Sequence, residues 1–248
     1  MKGDKITRFS ADVELIEWDA MDADGLDSDV PVHRGHLYYN DENLSLMSGV
    51  WDCTPFIRKM RPYNVNEFIY ILEGSVTIEL EDGSSTTISA GESFLIPKGL
   101  VCRWVQSEYV RKFFVIFSGA ENVAHKDPTQ FGIMAPKPSD AVTPVVIKDS
   151  SKIMGALPEQ QHHIYYTDVT GQFTVSMWHS DAFERPVMES DHFELMCILE
   201  GEATVSDGAG NDQVIKPGDA VLVPQGVQYK WKSDVPVTKV YCAFSPNV

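Results

Sequence analysis

Basic residues are scarce in this chain: 20 Lys and Arg stand against 36 Asp and Glu, a net charge of −16. Binding to a phosphate backbone or an anionic membrane relies on cationic surface, so neither nucleic acid nor membrane is expected as a partner. Cysteine is sparse as well. Cys53, Cys102, Cys197 and Cys242 lie far apart with no CxxC pair, which removes a zinc knuckle and a dense disulfide framework. No apolar run approaches the length of a membrane span, and the opening residues carry no apolar signal segment, so a cytoplasmic, reduced protein is expected. Sustained helical periodicity is missing too. The hydrophobic content of 43%, with 10% aromatics, is ordinary for a globular chain and excludes disordered and fibrous classes.

What is present is a repeat. Glu67 and Glu194, Gly74 and Gly201, Gly91 and Gly218, Pro97 and Pro224, Gly99 and Gly226, and Trp104 and Trp231 are each separated by 127 residues. His36-Leu37-Tyr38-Tyr39 matches His163-Ile164-Tyr165-Tyr166 at the same offset, so His36 to Phe117 aligns without gaps on His163 to Phe244. Such self-similarity sets the architecture as two copies of one unit, each long enough to bury its own core.

Within a copy the pattern is all-β. Val76, Ile78 and Leu80 alternate with Thr77 and Glu79, the period of two of a sheet with one buried face. Asp82-Gly83, Ala90-Gly91 and Lys98-Gly99 punctuate the first copy as turns, and Lys216-Pro217-Gly218-Asp219 does so in the second. Residues 1–34, rich in Asp, read as a loosely structured lead-in in which Val13, Leu15 and Ile16 are candidates for an edge strand. The first barrel is expected over 35–118 and the second over 161–248. Residues 119–160, with several prolines, read as a linker carrying at most edge strands.

The chain resembles the cupins, whose two motifs have the forms G-x5-HxH-x3,4-E-x6-G and G-x5-PxG-x2-H-x3-N. The resemblance rests on Glu67 with Gly74, on Gly91, Pro97 and Gly99, and on their counterparts Glu194, Gly201, Gly218, Pro224 and Gly226. Two sets in one chain resemble a bicupin: two tandem jelly-roll barrels, each a double-stranded β-helix. The stretch Trp51 to Pro55, with Asn66-Glu67-Phe68 and Arg111-Lys112, further resembles the ethanolamine-utilisation-like cupins. Pairing of cupins through barrel edges makes a homodimer the expectation by resemblance. The fold alone assigns no reaction.

Cupins commonly hold a divalent metal through the motif histidines and the glutamate. Here those histidine positions fall on Arg61, Tyr63 and Cys102 in the first copy and on Met188, Ser190 and Tyr229 in the second. One carboxylate does not make a transition-metal site, so no metal or other cofactor is expected. An alternative places a divalent metal in the second barrel through Glu189, His192 and Glu194, with His179 on the preceding strand.

By the family spacing, Arg61, Tyr63, Glu67 and Cys102 point into the first barrel, with Trp104 near its mouth. An Arg61 guanidinium beside a tyrosine hydroxyl suits a small carboxylate, while an internal Arg61 to Glu67 ion pair is the competing reading. Cys102 is either a nucleophile or an inert buried thiol. In the second barrel Ser190, His192, Glu194 and Tyr229 read as a polar, mostly neutral set, with Trp231 as the counterpart of Trp104. Asp52 with Arg58 and Lys59 reads as solvated surface. Three functions follow as expectations: binding of a small polar or anionic metabolite without metal, a metal-dependent enzyme on a small nitrogenous or carboxylate metabolite resembling the bicupin ureidoglycine aminohydrolase, and a structural or interaction protein.

Overall fold

The structure, a computed structural model, describes residues 5–119, 124–147, 149–207 and 209–246. The first four residues of the lead-in, residues 120–123 and 148 of the linker, and residues 208, 247 and 248 of the second copy lie outside that range. Two compact units emerge: Ser10–Ala135, and Pro136–Val248 joined by the strand Thr7–Phe9. Among the described residues no helix is long and apolar enough to cross a membrane.

Each unit is a larger and a smaller antiparallel sheet. In the first unit the larger sheet runs Ser93–Ile96, Asn66–Glu73, Val110–Phe117, Leu46–Cys53, His33–Asp41 and Ile16–Glu17. The smaller holds Phe56–Ile57, Val101–Gln106, Ser75–Leu80 and Ser85–Ser89, with Arg61–Pro62 also paired to Val101–Gln106. The second unit repeats this around Phe193–Glu200 and Val237–Phe244. Its smaller sheet runs Glu184–Glu189, Gln228–Lys232, Ala203–Ser206 and Asp212–Ile215. The strands Leu46–Cys53, Asn66–Glu73, Ser93–Ile96 and Val110–Phe117 match Phe173–Ser180, Phe193–Glu200, Ala220–Val223 and Val237–Phe244 residue for residue at the 127 offset. The lead-in is more ordered than its composition suggests: Thr7–Phe9 extends the second unit's larger sheet, and Ile16–Glu17 forms the edge strand of the first.

The repeated glycines have a steric cause. Gly74 and Gly201 share a φ of +78°, and a Cβ at either would lie 2.1 Å from a backbone carbonyl oxygen, that of Tyr109 or Pro236. No L side chain fits that turn, so both copies keep glycine.

Alternation then decides what faces inward. Along Val110–Phe117, Lys112, Phe114 and Ile116 line the barrel interior while Phe113, Val115 and Phe117 take the other face. Ile69, Ile71, Ile78, Phe94, Ile96 and Trp104 pack around them as one apolar cluster. The second barrel packs Met196, Ile198, Val205, Val221, Val223 and Trp231 in the same way. A shift of register opposite Arg111/Lys112 recurs opposite Thr238/Lys239, a β-bulge of the kind that re-aims a side chain.

Candidate functional site

The centre of each barrel is an ion pair. Lys112 Nζ donates to Glu67 Oε1 at 2.7 Å, and Lys239 Nζ donates to Glu194 Oε1 at 2.5 Å. The side chains of Lys112 and Glu67 are 7% and 5% exposed, those of Lys239 and Glu194 12% and 8%. Both lysines lie among aromatic rings. Lys112 Nζ is 4.6 Å from the Trp51 ring centre and 4.8 Å from that of Trp104. Lys239 Nζ is 5.2, 5.4 and 5.0 Å from Trp178, Trp231 and Tyr241. Such cation–π contacts favour the ammonium form. A buried ion pair contributes little net stability compared with apolar residues of equal volume, so keeping it in both copies points to use rather than to strength.

The two glutamates are finished differently. In the first barrel Tyr63 Oη donates to Glu67 Oε2, so both carboxylate oxygens are taken. Burial and the Glu67 charge push the Tyr63 phenol well above its ordinary pKa, which keeps it a donor. In the second barrel the second oxygen faces His192 Nε2 at 3.1 Å, and His192 Nδ1 faces Asp191 Oδ1 at 2.5 Å. With a carboxylate at each ring nitrogen both must donate, which is the imidazolium form. Burial alone would lower the His192 pKa, but Glu194 and Asp191 together raise it. Burial raises the Glu194 carboxyl, and Lys239 with His192 outweighs it, holding that group well below the usual carboxylate range. Burial lowers the Lys112 ammonium, with Glu67 opposing in part.

An arginine completes each lining, Arg58 in the first barrel and Arg185, 127 residues later, in the second. Among the described residues neither has an acidic partner. The Arg185 guanidinium stacks 4.0 Å from the Tyr229 ring centre, and its Nε is buried with no hydrogen-bond partner. Burial lowers its pKa, with the charges of Glu194 and Asp191 opposing.

Several expectations need correction. Arg61 is exposed and lies against Gly25, where a Cβ would come within 2.8 Å of its Nη1; it borders a side cavity of about 190 Å³ and forms no pair with Glu67, whose partners are Lys112 and Tyr63. Its strand is only two residues long and contains Pro62, so alternation counted back from Glu67 does not carry across it. Trp104 is not at the mouth: it is 4% exposed, stacked on Phe56 and part of the core. Cys102 borders the side cavity, and burial pushes its thiol up to about 11, leaving it protonated and inert at neutral pH. Asp52 is not solvated but 1% exposed, hydrogen-bonded by Arg34 and Tyr109 and ion-paired with Arg111 at 3.6 Å.

In the second barrel His192, Glu194, Tyr229 and Trp231 line one cavity with Lys239 and Arg185, so the set is charged, not mostly neutral. Ser190 is buried beside it and donates to the His192 carbonyl. Glu189 is exposed and bonded to Gln228, and His179 Nδ1 meets Thr238 Oγ1 at 3.0 Å, so neither joins His192. The lysines and the inward arginines were missed. The signal was the offset itself, which Lys112/Lys239 and Arg58/Arg185 obey as strictly as the motif glycines.

The donor sets do not fit a divalent ion. Every oxygen of Glu67 and Glu194 already faces a donor, and both His192 nitrogens face carboxylates. Among the described residues no group of three His, Cys, Asp or Glu side chains is arranged to hold a metal ion. In each barrel an ammonium stands against the carboxylate where a cation would be held.

Paired β-sheets closed into a barrel, twice in one chain, with a glutamate at the centre of each, define a bicupin. The chain belongs to the EutQ-like cupin domain family, which matches residues 44–114 and 167–241. Among solved structures it is similar to a protein of unknown function of the DUF861 family from Pseudomonas syringae pv. tomato, 25% identical, covering 97% of this chain and 100% of the other with a TM-score of 0.78. It is also similar to YlbA from E. coli, 12% identical over 100% and 94% of the two chains, TM-score 0.57. A variant of salicylate 1,2-dioxygenase from Pseudoaminobacter salicylatoxidans, 12% identical over 81% and 71%, has a TM-score of 0.52. Among curated proteins none matches. The last two structures carry the fold alone.

Proposed function

We propose that this bicupin binds a small anionic metabolite inside a barrel that works without metal, with Arg185 as the group that receives the anion. One observation carries the reading: a guanidinium that lines a cavity of about 480 Å³, has no acidic partner among the described residues and leaves its buried Nε unbonded. A buried donor left unpaired costs about 1–3 kcal/mol, more when charged, and an anion would recover that cost. The neighbouring Lys239 is already neutralised by Glu194, which makes it a fixed wall rather than the receptor. A guanidinium offers two parallel N–H groups to a carboxylate, a geometry that an ammonium does not match.

The test is thermal unfolding of the full chain against a panel of small carboxylates. Binding to the folded state alone raises the midpoint with concentration, and Arg185→Gln is expected to lose the response. A midpoint that no anion moves, or an Arg185→Gln protein that responds like the parent, would overturn the proposal.

A further inference from the structure

Resting on the anion-binding reading above, we infer that the second barrel is the receptor, that it takes a monocarboxylate carrying a flat unsaturated body, and that the first barrel is closed to the same molecule. Three observations lead there.

The first is room. The second cavity holds about 480 Å³, within the usual range of small-molecule sites, roughly 300–1,000 Å³, whereas the main cavity of the first holds about 200 Å³. The difference has named causes. Trp18, Tyr63 and Ile116 line the first cavity, and the residues 127 positions on are Val145, Ser190 and Ala243, each smaller. Trp18 is wedged over the site, edge-on to Phe114 and so close to Gly35 that a Cβ there would lie 2.1 Å from its ring. Tyr63 and Glu67 border both the main and the side cavity of the first barrel, so the tyrosine stands between the two.

The second is charge. Around the second cavity Lys239 answers Glu194, His192 lies between Asp191 and Glu194, and Lys152 stands at the rim with Asp149. Arg185 alone is left over, one positive charge. A single carboxylate balances it; a dianion would bring a second charge with no counterpart, at the cost of an unpaired buried ion.

The third is shape. Stacking on Tyr229 holds one face of the guanidinium, so an edge of it is what remains to act as a two-donor fork. Beyond it the walls are rings: Phe183 is stacked on Trp231 at 26°, and Trp178 stands edge-on to Trp231 at 89°. Faces and edges of this kind favour a flat π-system over a flexible aliphatic chain. In the first barrel Cys102 stands where Tyr229 does, and the Arg58 guanidinium lies over Phe56 at the longer distance of 6.0 Å.

Isothermal titration of the full chain with benzoate, acetate, isophthalate and benzyl alcohol tests this. Benzoate is expected to bind at one site per chain. Acetate lacks the ring, isophthalate adds a charge and benzyl alcohol lacks one, and each is expected to be weaker by about tenfold or more. Arg185→Gln should weaken benzoate by about tenfold or more, as should Arg185→Lys, which keeps the charge and loses the fork. Lys216→Gln, at an exposed ion pair with Glu202, should change nothing. Acetate or isophthalate binding as well as benzoate, with Arg185 still required, would overturn the ligand class and leave the anion reading standing. Two benzoate sites per chain, or benzoate binding indifferent to both Arg185 variants, would overturn the assignment to the second barrel. Heat from none of the anions would overturn this inference and the anion reading together.

Discussion

The first barrel and the second share a scaffold to the residue and differ in what has grown inward. Both keep the glutamate, the lysine, two tryptophans and an inward arginine at one offset. The first then fills its space with Trp18, Tyr63 and Ile116, while the second leaves it open and adds His192, where the first has Val65. A duplicated barrel has thus kept a charged centre in both copies, narrow in one and roomy in the other. The polar centre is not itself what makes a cavity; the residues around it are.

The sharpest way to break this comparison is to delete each lysine. Lys112→Met leaves Glu67 buried with only a phenol against it, and the expected loss is about 3–5 kcal/mol in urea unfolding. Lys239→Met should cost less, because His192 still faces Glu194. Equal losses would mean that the histidine is not a counter-charge. Removing both partners, as in Glu67→Leu with Lys112→Met, should recover most of the loss, since an apolar pair carries no unpaired charge.

Exchanging the plugs sharpens the comparison further. Ser190→Tyr should narrow the second cavity and weaken benzoate by about tenfold or more, measured by titration. Unchanged affinity would show that the volume difference has another origin.

The smallest expected effect is in pH. His192 has a folded pKa raised above its ordinary 6.5, so its contribution is fully present below that value and lost as pH rises through the folded one. Glu194 is depressed, so its contribution is lost only as pH falls well below the usual carboxylate range. The unfolding midpoint of the parent should therefore decline from about pH 6.5 upward by a step that His192→Val, the first-barrel residue, removes. A decline of the same size in His192→Val would place the titrating group elsewhere.

The barrels were legible in the sequence because their turns demand glycine at a positive φ and their strands alternate, and both constraints repeat at one interval. The centre of the site was not legible for the same reason that made it repeat. Lys112 and Lys239 sit on closing strands, where a lysine usually points to solvent, and only the fold shows that alternation turns them inward among tryptophans. The family spacing that puts Arg61 inside assumes an unbroken strand. The chain instead pauses at Arg61–Pro62, and Arg58 is the arginine that faces the cavity. His192 and Glu194 were legible as a pair on one face; the lysine that completes them was 45 residues away.

The central claim is that an ammonium holds the place of an ion against each retained glutamate. The most direct test is metal content after loading the full chain with manganese, iron, nickel or zinc and desalting, compared with Glu194→Ala. The account predicts substoichiometric metal in both proteins; a full equivalent per chain in the parent that disappears in Glu194→Ala would contradict it.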